Sequence, residues 1–391
     1  MTQAATSSST PRLQTLLRSL LLLMGGQLAM LCIACKLSTG HWNAIRLMWA
    51  GCDSQFYYYG ATYWLSGRNP YDFIGFVTPP PSLALPALMI KAHLDVQWAA
   101  FLFSALTAIL VPLSVWRYAR VLGLAVRDCF LLVCVSLLFT STLDLIHNGN
   151  MDGLIFACLV AAFTLRSASG GALAMAAGIG LKLYPAALLA VLARHRQWRR
   201  ILLTAGWLLL LMLPFVHLWS ASWHALAYRQ SRHDIRSVAP AAILNLLTGH
   251  DGHALRVVCF VFWLGTLLLA LYNDHKRTLT PWALARYAPW LMAWPALVFP
   301  YAGVNLLPVP IALAARAARR RLLRLEYLSL LGFLLFNLRL EQLTNLLPIP
   351  DYKKYWHIAP AIQACGVVLM MLGSCLSVSR ESSEDTDEAI C

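Results

Sequence analysis

The stretch from Val96 to Trp116 contains no charged residue, and it is one of several such runs along the chain. A run of this length suits an α-helix across a bilayer, whose hydrocarbon core takes about 20 apolar residues. Several of them exclude a soluble core. At 59% hydrophobic and 12% charged residues, the chain holds more apolar surface than a soluble domain of its length could bury. The expected fold class is therefore an all-α polytopic membrane protein. In such a chain the formal net charge of +14 reads as basic loops that fix orientation, so no nucleic acid partner is expected.

The cysteines lie mostly inside apolar runs. The one CxxC pair, Cys32 and Cys35, falls in the first apolar segment and has no histidine at zinc spacing, so packing is the expected role. No metal site and no disulfide framework is expected. The terminal Cys391 does not form a CaaX box.

Basic residues order the spans. Arg12 and Arg18 precede the run Ser19 to Cys35, which lacks an A-x-A cleavage pattern and reads as a retained helix entering from the cytoplasm. The loop 37–81 then lies outside. The span from Val96 returns to Arg117, Arg120 and Arg127 in the cytoplasm, and "TPPPSLALPALMI" is too short and proline-rich to cross, so it is expected along the outer interface. Cys129 to Leu145 and Met151 to Leu165 go out and back.

Ala168 to Ala193 is apolar but basic at both ends, with Arg166 before it and Arg194, Arg196, Arg199 and Arg200 after it. That pattern, with breaks at Gly178, Gly180 and Pro185, predicts a re-entrant hairpin whose tip carries Lys182 to Tyr184. Later spans are expected near Ile201 to Trp219, Ala254 to Tyr272, Tyr287 to Pro300, Asn305 to Ala318, Tyr327 to Leu346 and Tyr355 to Leu376. A second large outer loop covers 220–253. Residues 1–378 form one domain, and 379–391 an acidic, disordered cytoplasmic tail.

Polar residues inside such a chain are costly, which singles out four groups. Asp53 opens "CDSQFYYYGATYW", and on helical spacing Asp53, Tyr57, Gly60 and Trp64 share a face that could stack a sugar; a helix cap beside interfacial aromatics explains the same residues. His147, Asn150 and Asp152 crowd "DLIHNGNMDG", as a ligand site or an ordinary polar turn. Lys182 in "GIGLKLYP" is buried and needs an anion, either a ligand phosphate or a carboxylate such as Asp144 or Asp152. Arg229, Arg232 and Arg236 place basic side chains in an outer loop, as solvated charges or as phosphate ligands.

The segments "CDSQFYYYGATYWLSGRNPYDF", "TPPPSLALP", "NGNMDGLIFACLVAAF" and "AAGIGLKLYPAALLAVLARHRQWRR", in that order, resemble the landmarks of glycosyltransferase family 87, over the first half of the chain chiefly. The resemblance implies a GT-C-like bundle of about 10 transmembrane helices with a re-entrant hairpin and an outer-face interfacial helix. It further implies a multi-pass protein of the cell inner (plasma) membrane with its site on the outer side. The implied donor is a polyprenyl-phosphate sugar, most often of mannose, and the acceptor a glycan or glycolipid.

The family's first-loop aspartate falls on Asp53, its Gly-x-x-Pro-Tyr turn on Gly67, Asn69, Pro70 and Tyr71, and its lysine on Lys182 beside Tyr184 and Pro185. Its Gly-Gln-x-Asn turn is altered here to Gly149-Asn150-Met151-Asp152, and Asn305 stands near where a late histidine is common. By this resemblance Asp53 is the general base of a one-step inverting transfer that needs no acid and no cofactor. Tyr57, Trp64, Tyr71, His147, Asn150, Asp152, Lys182, Tyr184, Arg229, Arg232, Arg236 and Asn305 would bind substrate. A transporter or flippase would call for polar residues in both halves of the membrane, and a scaffold would explain the aromatics as anchors.

Overall fold

The computed structural model describes residues 52–73, 76, 78–231, 253–274, 279–293, 300–319, 326–338 and 358–384, with positions 15, 18, 21, 22 and 24–26. Among the described residues there is no strand, and the ordered elements are helices. They run α1 (Cys52–Leu65), α2 (Ala84–Lys91), α3 (Val96–Val121), α4 (Val126–Leu138), α5 (Thr140–Asn148), α6 (Asp152–Thr164), α7 (Ala168–Leu181) and α8 (Leu188–Arg194). Then come α9 (Trp198–Met212), α10 (Trp219–Ser231), α11 (His253–Asn273), α12 (Trp282–Met292), α13 (Pro308–Ala318), α14 (Glu326–Asn337) and α15 (Ile358–Glu384).

Among the described residues two stretches are long and apolar enough to cross a membrane, Val96–Val121 and Trp198–Ala225. The bent pair α4 and α5 makes a third if counted as one span. The run expected as a single helix over Cys129 to Leu145 is thus two helices that meet at 56°. Phe139 is extended at the break. Asn337 of α14 fills the gap, accepting from the Thr140 N–H at 3.1 Å. This meets one of the backbone donors that a new helix start leaves without a partner.

The loop expected over 220–253 is helical in its first part, since α10 runs to Ser231, and 232–252 lie outside the described residues. The tail expected to be disordered from 379 continues α15 to Glu384. The proline-rich segment folds as a 3-10 turn, Pro80–Leu83, and the short α2, packed on α1.

The segment 168–194 doubles back. Ser167 caps α7 by accepting from Gly170 N–H. α7 and α9 run parallel, because Gly171 faces Arg200 and Gly180 faces Leu208. Arg200 donates to the carbonyls of Ala162 and Leu165, beside the start of α7. The chain between Lys182 and Arg194 must therefore return to the end from which α7 set out, and α8 is that return. Lys182, extended at φ −151°, ends α7, and Pro185 suits the first turn of the 3-10 helix that follows.

At the foot of this hairpin a buried ion cluster joins α8 to α11 and α12. Asp274 Oδ2 accepts from Tyr287 Oη at 3.0 Å and faces Arg286 Nη1 at 3.0 Å and His195 Nε2 at 3.4 Å. Arg194 donates to the carbonyls of Leu271 at 2.6 Å and Asp274 at 2.5 Å. Burial alone would raise the Asp274 carboxyl, but His195, Arg286 and Tyr287 together hold it well below the usual carboxylate range.

Elsewhere the core is mostly apolar, with the Arg316–Glu326 ion pair and the Asp128 carboxyl among its buried charges. α14 and α15 approach so closely at Gly332 and Gly366 that a Cβ on either would stand 2.4 to 2.5 Å from a backbone oxygen of the other helix. Small residues permit this approach, and contact between backbones is the main attraction between helices where no water is displaced.

Candidate functional site

Four chain breaks converge at the end of the bundle opposite the ion cluster: the start of α1, the α5–α6 turn, the hairpin tip and the 3-10 segment Pro300–Leu306. Glycine makes the α5–α6 turn possible. Gly149 takes φ +63°, and the N–H groups of Gly149 and Asn150 both return to Leu145 O, closing α5 with a Schellman-like cap. A Cβ at Gly149 would stand 3.0 Å from Ser54, and one at Gly153 would stand 2.8 Å from Thr107. The turn can therefore press between α1 and α3.

That closeness brings Asn150 to Asp53. The Asn150 amide nitrogen donates to Asp53 Oδ2 at 2.6 Å. Its oxygen accepts from Asp152 N–H at 3.1 Å and from Lys182 Nζ at 3.2 Å. Lys182 Nζ also pairs with Asp152 Oδ2 at 2.5 Å, and Tyr184 Oη donates to Asp152 Oδ1 at 2.5 Å. Asn305 completes the line, its amide donating to Tyr184 Oη at 2.8 Å and to Ala302 O at 2.9 Å. Asp53, Asn150, Lys182, Asp152, Tyr184 and Asn305 thus form one hydrogen-bonded network.

The two carboxylates stand differently. Asp152 is fully buried, and its two oxygens are taken by Lys182 and Tyr184. Asp53 is half-buried, one oxygen is held by Asn150, and the other has no partner among the described residues. Both lie in the first turn of a helix, where the macrodipole favours an anion. Asn305 Oδ1 is buried without a hydrogen-bond partner among the described residues.

Of the two anions offered for Lys182, the empty protein supplies a carboxylate, Asp152. Tyr184, expected against substrate, is buried behind Asp152 and acts on it instead. Tyr57 and Trp64 do share the α1 face with Gly60, but that face is closed. Tyr57 packs on Phe103 at 6.0 Å, Trp64 on Phe215 at 4.9 Å, and a Cβ at Gly60 would meet the Phe76 ring at 2.6 Å. The wall expected to stack a sugar is a packed seam.

Tyr71 ties down the first loop, donating to Thr78 O at 2.9 Å, and burial pushes its phenol well above the usual value against a hydrogen bond with Ser222. The Ser222 contact brings α10 beside this loop. His147 stays out of the network, with a buried Nδ1 that has no hydrogen-bond partner among the described residues. Arg229 falls in the backbone of α10, and its side chain, with Arg232 and Arg236, lies outside the described residues. Among the described residues no three His, Cys, Asp or Glu side chains converge as metal ligands.

The other side of α1 was not singled out from the sequence. Phe56, Tyr59 and Tyr63, at i, i+3 and i+7, form a stripe beside the packed face, with Phe73 set among them. The same tyrosine-rich run carried that spacing. No family model matches the chain, and no curated protein matches it.

Proposed function

We propose that this chain is an inverting membrane glycosyltransferase that moves a hexose, with mannose as the first candidate, from a polyprenyl-phosphate sugar to a lipid-linked or envelope glycan. In this reading it crosses the inner (plasma) membrane about ten times as a GT-C-like bundle and works on the outer face. Asp53 is the general base. As the acceptor oxygen bonds to the anomeric carbon, Asp53 takes its proton, and the bond from that carbon to the phosphate oxygen breaks with its electron pair leaving on polyprenyl phosphate. The phosphate is already a good leaving group, so no acid is required.

The observation that supports this choice of base is the contrast between the two carboxylates. Asp152 is buried and fully engaged, while Asp53 has an open oxygen and a partner that aims it. The network also carries two carboxylates against one ammonium, so a phosphate anion calls for further cations. In this reading Arg229, Arg232 and Arg236 supply them, and Lys182 adds to them by sharing its charge between Asp152 and the phosphate.

Asp53→Asn keeps the shape and loses the proton acceptor. Transfer from a radiolabelled polyprenyl-phosphate sugar is expected to fall by about 10²- to 10⁴-fold, with donor affinity and melting temperature near wild type. Transfer at the wild-type rate would remove Asp53 from this role.

A further inference from the structure

The exposed side of α1 differs from that of α9. Exposed aromatic rings also stand on α3, as Trp98, Phe101 and Trp116, and on α11, as Phe260, Phe262 and Tyr272, among aliphatic neighbours. Between Ile201 and Leu213, along α9, the large exposed side chains are all aliphatic: Leu202, Leu209, Leu210 and Leu213. That is the composition of a surface against hydrocarbon. On α1 the large exposed residues are Phe56, at 39%, Tyr59, at 40%, and Leu65 at its end, interleaved with exposed Gln55 and Thr62 and followed by exposed Arg68 and Asp72. Phe73 sits among the rings, with centroids 6.3 Å from Phe56 and 5.6 Å from both Tyr59 and Tyr63. Its ring is tilted by 48 to 50° against them, and Tyr58 meets Tyr59 at 90°, so among the described residues no ring lies parallel over the stripe. Arg68 lies over Tyr63 with its guanidinium carbon 5.7 Å from the ring centre.

Rings bordered by amide, hydroxyl and charged groups suit a ligand that is apolar on its faces and polar around its edge. A sugar ring is such a ligand, and an acyl chain is not. The position is also telling. Phe56 lies one turn beyond Asp53, and Tyr63 ten residues along, about 15 Å at the helical rise, so the stripe leads away from the base for the length of several sugar units.

We propose that this stripe is the acceptor subsite: Phe56, Tyr59, Tyr63 and Phe73 stack the sugars that precede the attacked unit, so that the acceptor is an oligosaccharide and not a single sugar. The proposal rests on the glycosyltransferase reading. It gives the aromatic crowd after Asp53 a role distinct from that of Tyr57 and Trp64, which hold α1 to the bundle. Arg68 and Asp72 at the far end of the stripe take the sugar hydroxyls.

The test reads binding and needs no turnover. The full-length chain in nanodiscs is titrated, by saturation-transfer NMR, with manno-, gluco- and galacto-configured tetrasaccharides and with the corresponding methyl glycosides. At least one tetrasaccharide is expected to bind, with affinity about tenfold weaker in the double variant Tyr59→Ala, Tyr63→Ala and retained in Tyr59→Phe, Tyr63→Phe, which keeps the rings. The methyl glycosides are expected to be insensitive to either change. Failure of every tetrasaccharide to bind overturns the proposal, as does binding that the alanine pair leaves unchanged. An alanine pair that leaves glycan binding intact but reduces retained lipid would make the stripe a bilayer anchor. Because Asp53→Asn is tested by transfer and the stripe by binding, either can fail while the other stands.

Discussion

The Asp53 network and the Asp274 cluster both bury carboxylates, at opposite ends of the same hairpin, yet they are built from different donors. Around Asp274 the partners are arginine, histidine and tyrosine, and Arg194 is spent on main-chain carbonyls. Asp274 is 1% exposed, and a group so enclosed fastens α8, α11 and α12 together. Around Asp53 and Asp152 the donors are an amide, a phenol and one lysine, each taken from a chain break, and Lys182 keeps 18% of its side chain exposed. One cluster is closed on itself; the other reaches a surface. Burial of charge alone does not mark a site, and access to one of the charges does.

The contrast can be broken first at Asp274. Asp274→Ala leaves Arg286 and the surrounding positive charge without its counter-ion and is expected to cost about 3–5 kcal/mol of stability, read by thermal unfolding in detergent. Because the Asp274 carboxyl lies below its ordinary value of about 3.9, its contribution is complete above that pH. It is lost as pH falls toward the folded value. The substituted protein should therefore lose less stability than wild type between about pH 4 and lower pH, and an unchanged acid limb would mean that Asp274 is not the group holding the foot together.

At the other end Lys182→Met strands Asp152, which keeps only Tyr184 and the helix start. A smaller loss is expected, about 2–3 kcal/mol, since the lysine is partly solvated. Lys182→Met with Asp152→Asn should recover most of it. A single Lys182→Met variant as stable as wild type would show that the pair is not holding the empty protein.

The smallest expected difference is between the two tyrosines. Tyr184→Phe removes a donor to Asp152 and an acceptor for Asn305, whose Oδ1 has no partner among the described residues, and is expected to cost about 2 kcal/mol. Tyr287→Phe removes one of several partners of Asp274, at about 1 kcal/mol. Melting temperatures in the reverse order would mean that the Asp274 cluster is the less redundant of the two.

Much of the Asp53 network was legible in the sequence because each member breaks a local rule. Asp53, Lys182 and Asp152 are charges in apolar surroundings, and the basic residues at both ends of 168–193 foretold the hairpin that carries Lys182. Which partners they choose was not legible, since Asp53, Asn150 and Lys182 are brought together by the close approach of Gly149 to the Ser54 side chain. The face of α1 was legible as a period but not as inside or outside, because aromatic rings serve either. The Asp274 cluster left little signal. Arg194 and His195 read as ordinary basic loop residues, and the sole hint was an isolated acid at the end of an apolar run.

The geometry of the hairpin also bears on how the chain can change over time. Because Leu165 and Arg200 are within a hydrogen bond of one another, at 3.2 Å, everything from 168 to 197 is an excursion that leaves and rejoins the path at one place. Such a loop adds nothing to the parity of the chain's crossings. Lengthening, shortening or excising it leaves α9 and all that follows pointing the same way, so the piece that carries Lys182 and Tyr184 is a module that can be remodelled without turning the rest of the protein inside out.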